Sequence, residues 1–137
     1  MPQLTVTYSR ELDGTFDRAA LIEELHPLVV RESGTRGVCK TVLRPEETWV
    51  GDGPGGRTPL LHVEVGLMPG RSEAVKAHLS ESVLALLTRH VPEAAIASVE
   101  VRDLAPSYRL FPSTGRGPAR EPRRAAATPP ATLRTAR

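Results

Sequence analysis

Residues 1–9 read MPQLTVTYS, and this stretch decides the fold. Leu4, Val6 and Tyr8 alternate with Gln3, Thr5 and Thr7, the period of two that marks a strand with one buried face. Chain starts are ordinarily loose. Here the alternation begins directly after Pro2, which stands that proline at the mouth of a sheet.

Outward from this strand the period changes. Leu21, Leu25 and Leu28 share one helical face, joined by Ile22 and Val29. Thr15 is the expected N-cap and Gly34 the expected C-cap glycine. Pro27 lies inside this helix, where it bends the axis or removes one hydrogen bond. VCKTVLR, residues 38–44, reads as a strand with Val38, Lys40, Val42 and Arg44 on one side and Cys39, Thr41 and Leu43 on the other. GDGPGGRTP, residues 51–59, lacks both the Lys-Ser/Thr ending and the strand-to-helix setting of a phosphate loop, so it reads as a connection. LLHVEVGL, residues 60–67, is the next strand. Ser72 is placed to cap a second helix with Val75, Leu79, Val83 and Leu86 on one face, ended by Val91 and Pro92. SVEVRDL, residues 98–104, closes with a further alternating strand.

The pattern is β-α-β used twice. Parallel strands require a right-handed crossover through a helix. The expectation is therefore an α+β two-layer fold, β-α-β-β-α-β, with a four-stranded sheet and both helices on one face. The uncovered face is expected to pack against other subunits.

With 137 residues the chain is sized for one domain. That domain is expected to span residues 1–112. Residues 113–137 form an Arg/Pro-rich tail with one large aliphatic, Leu133, and no aromatic, a composition expected to be disordered. The tail holds six arginines and one glutamate, so of the formal total of +2 it contributes +5 and the body carries −3. An acidic body with a basic tail argues against nucleic acid as a partner, since a nucleic-acid-binding domain shows its basic face on the fold itself. Cys39 is the sole cysteine, which excludes an internal disulfide and suits a reducing compartment. No run is long and apolar enough for a membrane span and no secretory leader is visible, so the expected location is cytoplasmic and no membrane partner is expected. The four histidines show no metal-ligand spacing, and neither HExxH nor CxxC occurs. Neither a metal nor an organic cofactor is expected.

MPQLTVTYS, HVEVGLMPGRS (62–72), Thr48-Trp49 and VEVRDLAPS (99–107) together resemble the tautomerase superfamily, in particular its 5-carboxymethyl-2-hydroxymuconate isomerase family. The likeness runs over roughly residues 2–107. It implies a homotrimer of β-α-β-β-α-β subunits acting on a small carboxylate substrate, with the N-terminal proline as catalytic base. Removal of Met1 leaves Pro2 as a free secondary amine, and burial together with a nearby cation lowers its pKa toward neutrality. The same amine then takes a proton from one atom of the substrate and returns it to another. The resemblance implies that Arg71, just ahead of the second helix, binds and polarises the substrate carboxylate and helps to depress the Pro2 amine.

One strand departs from the pattern. Where that family carries basic residues after the first helix, this chain has Cys39 and Thr41 in GVCKTV, residues 37–42. Both are assigned to the substrate pocket as uncharged residues. Arg44, Arg109 or a side chain from a neighbouring subunit is then left to supply a second cation. Cys39 itself reads as a small buried hydrophobe and His62 as structural. Tyr108, Leu110 and Phe111 are candidates for packing on an adjacent subunit. Two other readings use the same fold: a proline-dependent hydratase, dehalogenase or decarboxylase, and a non-catalytic oligomeric binding protein.

Overall fold

The computed structural model describes residues 1–51 and 56–111. The connection expected at residues 51–59 lies partly outside these, and the tail at residues 113–137 wholly so.

Strand β1 (Gln3–Ser9) is followed by a 3-10 turn (Arg10–Leu12), helix α1 (Arg18–Ser33), strands β2 (Lys40–Glu46) and β3 (Leu60–Leu67), helix α2 (Glu73–His90) and strand β4 (Ile96–Asp103). The sheet order is β2-β1-β3-β4. Strands β1 and β2 run parallel, β3 and β4 run parallel, and β1 runs antiparallel to β3. This is the expected doubled β-α-β arrangement in one mixed sheet.

The alternation read from the sequence sorts the two faces. Leu4, Val6 and Tyr8 are fully buried, as are Leu61, Val63 and Val65 of β3. Leu21, Leu25 and Val29 of α1 and Leu79, Val83, Leu86 and Leu87 of α2 join them in one core, with Leu43, Val99 and Val101 packed at its margin. Val75, expected on the buried face of α2, is 37% exposed, and Leu87 takes its place in the core. The first turn of the helix instead reaches the sheet through Lys76, which ion-pairs with Asp103 at the end of β4.

The opposite face carries Lys40, Gln3, Gly66 and Arg102 in one row across the sheet. Val42, Thr5, Glu64 and Glu100 form the next row, and Arg44, Thr7, His62 and Ser98 the third. This open face is chiefly polar, with Val42 and Ile96 as exposed apolar residues on its two edge strands.

Two strand boundaries shift from the sequence reading. Strand β2 covers residues 40–46 rather than 38–44 because β1 begins at Gln3, and Gln3 pairs with Lys40. The shift brings Pro45 into the strand, which an edge position tolerates because one side of the ladder needs no N–H donor. Strand β4 likewise starts at Ile96, opposite Leu60 at the start of β3.

Helix α1 starts later than expected. Its N-cap is Asp17, whose carboxylate accepts from the Ala20 N–H at 3.0 Å. Thr15 instead donates to the Leu12 carbonyl at 2.6 Å, closing the turn ahead of the helix. Gly34 is the C-cap with φ 66°, a left-handed conformation that suits glycine. The helix runs through Pro27 to Ser33. Replacing Asp17 with Ala is expected to cost about 1 kcal/mol of folding stability. Replacing Thr15 is expected to cost less, and denaturant unfolding of the two variants checks the assignment.

Candidate active site

One end of the sheet gathers the residues singled out from the sequence. Gln3 pairs with Lys40 on one side and Gly66 on the other, so the start of β1 lies between the start of β2 and the end of β3. Pro2 is buried at this end, and its carbonyl accepts from the Lys40 N–H at 3.1 Å. The Met68–Arg71 turn leaves β3 here, and the C-terminus of α1 arrives beside it.

Arg71 is held by that helix terminus. Its Nε donates to the Ser33 carbonyl at 2.8 Å, one terminal nitrogen to the Met68 carbonyl at 3.0 Å, and the other to Thr35 Oγ1 at 3.0 Å. The local position just ahead of α2 is unfavourable for a cation, but the C-terminus of α1 offers carbonyls without helical partners and the negative end of its dipole. Three of the five guanidinium N–H groups are thus engaged within the chain, leaving one on each terminal nitrogen. Arg71→Ala is expected to lower stability by about 2 kcal/mol through loss of these charge-assisted bonds. Arg71→Lys should recover only part of it, because an ammonium cannot span three acceptors. Thermal unfolding of the pair reads the difference.

Thr41 and Cys39 face α1. Thr41 Oγ1 lies 2.6 Å from His26 Nε2, and the Cys39 thiol lies 3.8 Å from the His26 carbonyl. Burial pushes the Cys39 thiol above its ordinary pKa, while the charge of the N-terminal ammonium pulls weakly the other way. Cys39 therefore sits close to the chain start as a protonated, half-buried thiol, a poor nucleophile at neutral pH. Its alkylation by iodoacetamide is expected to be slower at pH 7 than that of a free thiol, and to accelerate only above the usual thiolate range. A pH-rate profile of modification would show it.

Sequence reasoning did not find His26 as the partner of Thr41, nor Tyr108 as a neighbour of this end. Both depend on contacts between residues far apart in the chain. The Tyr108 ring lies 5.3 Å from Lys40 Nζ, and Tyr108 Oη is buried with no hydrogen-bond partner among the described residues. Phe111 is 95% exposed. Arg109 donates to the Pro106 and Tyr108 carbonyls, and Arg44 lies further up the sheet, opposite Thr7.

His62 stands on the open face with Nδ1 at 2.8 Å from Ser98 Oγ. Its potential ligand atoms lie within 4.8 Å of those of Glu64 and Glu100, a grouping that arises across two strands and leaves no spacing signature. Arg102 ion-pairs with Glu64 there, which makes this a salt-bridged cluster. Trp49 is largely exposed beneath Arg57, whose guanidinium lies 5.4 Å from the ring centre. No helix among the described residues is long and apolar enough to cross a membrane.

No protein-family model and no curated protein matches the chain. Solved structures do. A 5-carboxymethyl-2-hydroxymuconate isomerase from Deinococcus radiodurans R1 superposes with a TM-score of 0.67 at 20% identity, over 80% of this chain and 88% of that one. A 5-carboxymethyl-2-hydroxymuconate delta-isomerase gives 0.63 at 19% identity, over 80% and 87%. A malonate semialdehyde decarboxylase inhibited by 3-bromopropiolate gives 0.57 at 12% identity, over 82% and 91%. These are tautomerase-superfamily structures. The chain has the tautomerase fold, a four-stranded mixed sheet with two helices in the order β-α-β-β-α-β.

Proposed function

We propose that this chain is a cofactor-independent tautomerase that moves a proton within a small 2-oxo or 2-hydroxy-unsaturated acid, with Pro2 as general acid–base. The observation that carries the reading is the placement of Pro2. It is buried at the end of the central strand, its carbonyl is fixed by Lys40, and the Arg71 turn leaves β3 at the same end of the sheet. Removal of Met1 would free its nitrogen as a secondary amine on a rigid scaffold. Burial and neighbouring positive charge both disfavour the ammonium, which poises the amine to act as a base near neutral pH.

In the proposed cycle the amine takes the hydroxyl proton of the enol acid, and the resulting ammonium returns a proton to carbon. All substrate atoms are retained. Arg71 lends its charge and its two remaining N–H groups to the carboxylate end, while Cys39 and Thr41 line the pocket without charge. The isomerases among the similar structures support this chemistry. A fused 4-OT symmetric trimer, with a TM-score of 0.58 at 14% identity over 76% of this chain and 88% of that one, supports assembly as a homotrimer. The decarboxylase among the same structures favours a second reading, in which the same amine serves decarboxylation of a small acid.

The test is ketonisation of 2-hydroxymuconate and phenylenolpyruvate by the wild type and by Pro2→Ala, with the N-terminal residue verified by intact mass. The wild type is expected to be faster than the variant by about 100-fold or more, the range that general acid–base groups contribute. Equal rates would remove Pro2 from the chemistry.

A further inference from the structure

Helix α1 carries a weak point near its middle. Pro27 supplies no N–H to the Glu23 carbonyl, so the helix continues to Ser33 with one backbone bond missing. The half beyond Pro27 matters to the site described above, because the Ser33 carbonyl accepts from Arg71 Nε at 2.8 Å. The side chains that hold both halves in place come from α2.

Two histidines of α2 reach across to α1, one on each side of Pro27. His90 Nε2 lies 2.9 Å from Glu24 Oε2, and His78 Nε2 lies 2.9 Å from Glu32 Oε2. Their order is opposite in the two helices, so the pairs close the two ends of an antiparallel seam. The middle of the seam is not filled: a groove of about 190 Å³ opens there, with Pro27, Leu28 and Leu86 in its lining. In each pair one partner is sheltered, the His90 side chain being 14% exposed and that of Glu32 23%. Sheltered charges are screened by salt less than free ones.

The other charges at the seam do not change near neutrality. Arg89 lies 3.5 Å from Glu24, and Arg31 bonds Glu32 at 3.2 Å. Both stay charged throughout. Glu81 and Glu93 form no ion pair with either histidine, and where β4 packs on α2 the charged contact is Lys76 with Asp103. The histidines are therefore the groups whose charge a small pH change can alter. His90 also ends α2, where a positive charge meets the negative end of the helix dipole.

The hydrogen bond from His90 holds the Glu24 carboxyl below its ordinary pKa, against a smaller opposing effect of desolvation. That contribution is present above the ordinary carboxylate range and is lost as pH falls through the depressed value. An imidazole carries its charge only below roughly pH 6.5. Both charges coexist between those limits, and above them a neutral imidazole retains a hydrogen bond alone.

We propose that the two histidine–glutamate pairs form a proton-operated latch, tight in mild acid and loose above neutrality, that fastens both halves of the proline-weakened α1 to α2. Loosening it frees the end of α1, where the Ser33 carbonyl anchors Arg71. The latch lies in the helical layer and holds whether or not Pro2 performs chemistry.

The experiment follows thermal unfolding and amide hydrogen exchange of the full chain at about pH 6 and about pH 8, either side of the histidine range. The wild type is compared with His78→Gln, His90→Gln, the double glutamine variant, His78→Lys and His90→Lys. His62→Gln, on the open face, is the control. Comparison with the wild type at each pH cancels the titration of every other group. The double glutamine variant is expected to unfold about 4 °C or more below the wild type at the lower pH, the scale of two partly exposed pairs. That gap should at least halve at the higher pH. In His78→Gln the amides of residues 28–33 should exchange about threefold faster than in the wild type at the lower pH, and alike at the higher. Each lysine variant should remove the pH dependence of its own pair, because an ammonium stays charged at both values. His62→Gln should leave the pH dependence as it is. A gap of the same size at both pH values overturns the latch, since the histidines then act by packing alone. Unchanged exchange at residues 28–33 in His78→Gln overturns it equally, since that half of α1 is then held without the pair.

Discussion

The two-sided pairing of β1 is the constraint on which the rest of the molecule depends. This strand is parallel to β2 on one side and antiparallel to β3 on the other. The parallel partner demands α1 as a crossover, and the antiparallel partner sets the second β-α-β unit beside the first. Register is pinned by burial, since a slip of one residue would carry Leu4, Val6 and Tyr8 onto the open face. Full burial of each is worth about 1.5–3 kcal/mol, and all three are fully buried. Tyr8 adds a directional element, because its hydroxyl donates to Asp13 at 2.9 Å just past the strand. A strand fixed this firmly fixes what precedes it, and Pro2 inherits its position.

The two halves are also joined by charge. Arg71 belongs to the second unit but is spent on the last turn of α1 in the first. An arginine ahead of one helix is placed where the end of another can use it, so a local cost is offset by a tertiary gain. The same economy explains why a residue type suited to binding a carboxylate is mostly occupied with backbone carbonyls. At the far end of β1, Ser9 plays a comparable part: its hydroxyl accepts from the Leu60 N–H at 2.8 Å and meets the Thr48 hydroxyl, joining the start of β3 to the loop after β2.

Some of this was legible from the chain alone. Period-two alternation located the start of β1, β3 spans residues 60–67 as read, and the apolar face of α1 appears as read. Gly34 and Ser72 cap helices as their chemistry requires. The start of α1 and the edge strands were less legible. Thr15 and Asp17 are both good caps in isolation, and the 3-10 turn that precedes the helix decides between them. The bounds of β2 and β4 follow the strands they pair with, since an edge strand extends as far as its neighbour offers partners.

The sequence by itself determined the element order, the buried face of each central strand and the approach of Pro2 to the sheet, because these rest on local periodicity and on the sterics of a few residues. Only the tertiary structure decided what each polar group at that end is engaged with. The bonds of Arg71 to Ser33 and Thr35, the pairing of Thr41 with His26 and the stacking of Lys40 on Tyr108 join residues at least 15 positions apart. No periodicity encodes such contacts. They exist because the packed sheet brings a helix terminus, a strand start and a crossing segment to one place, and hydrogen-bonding and charged groups brought together there find one another.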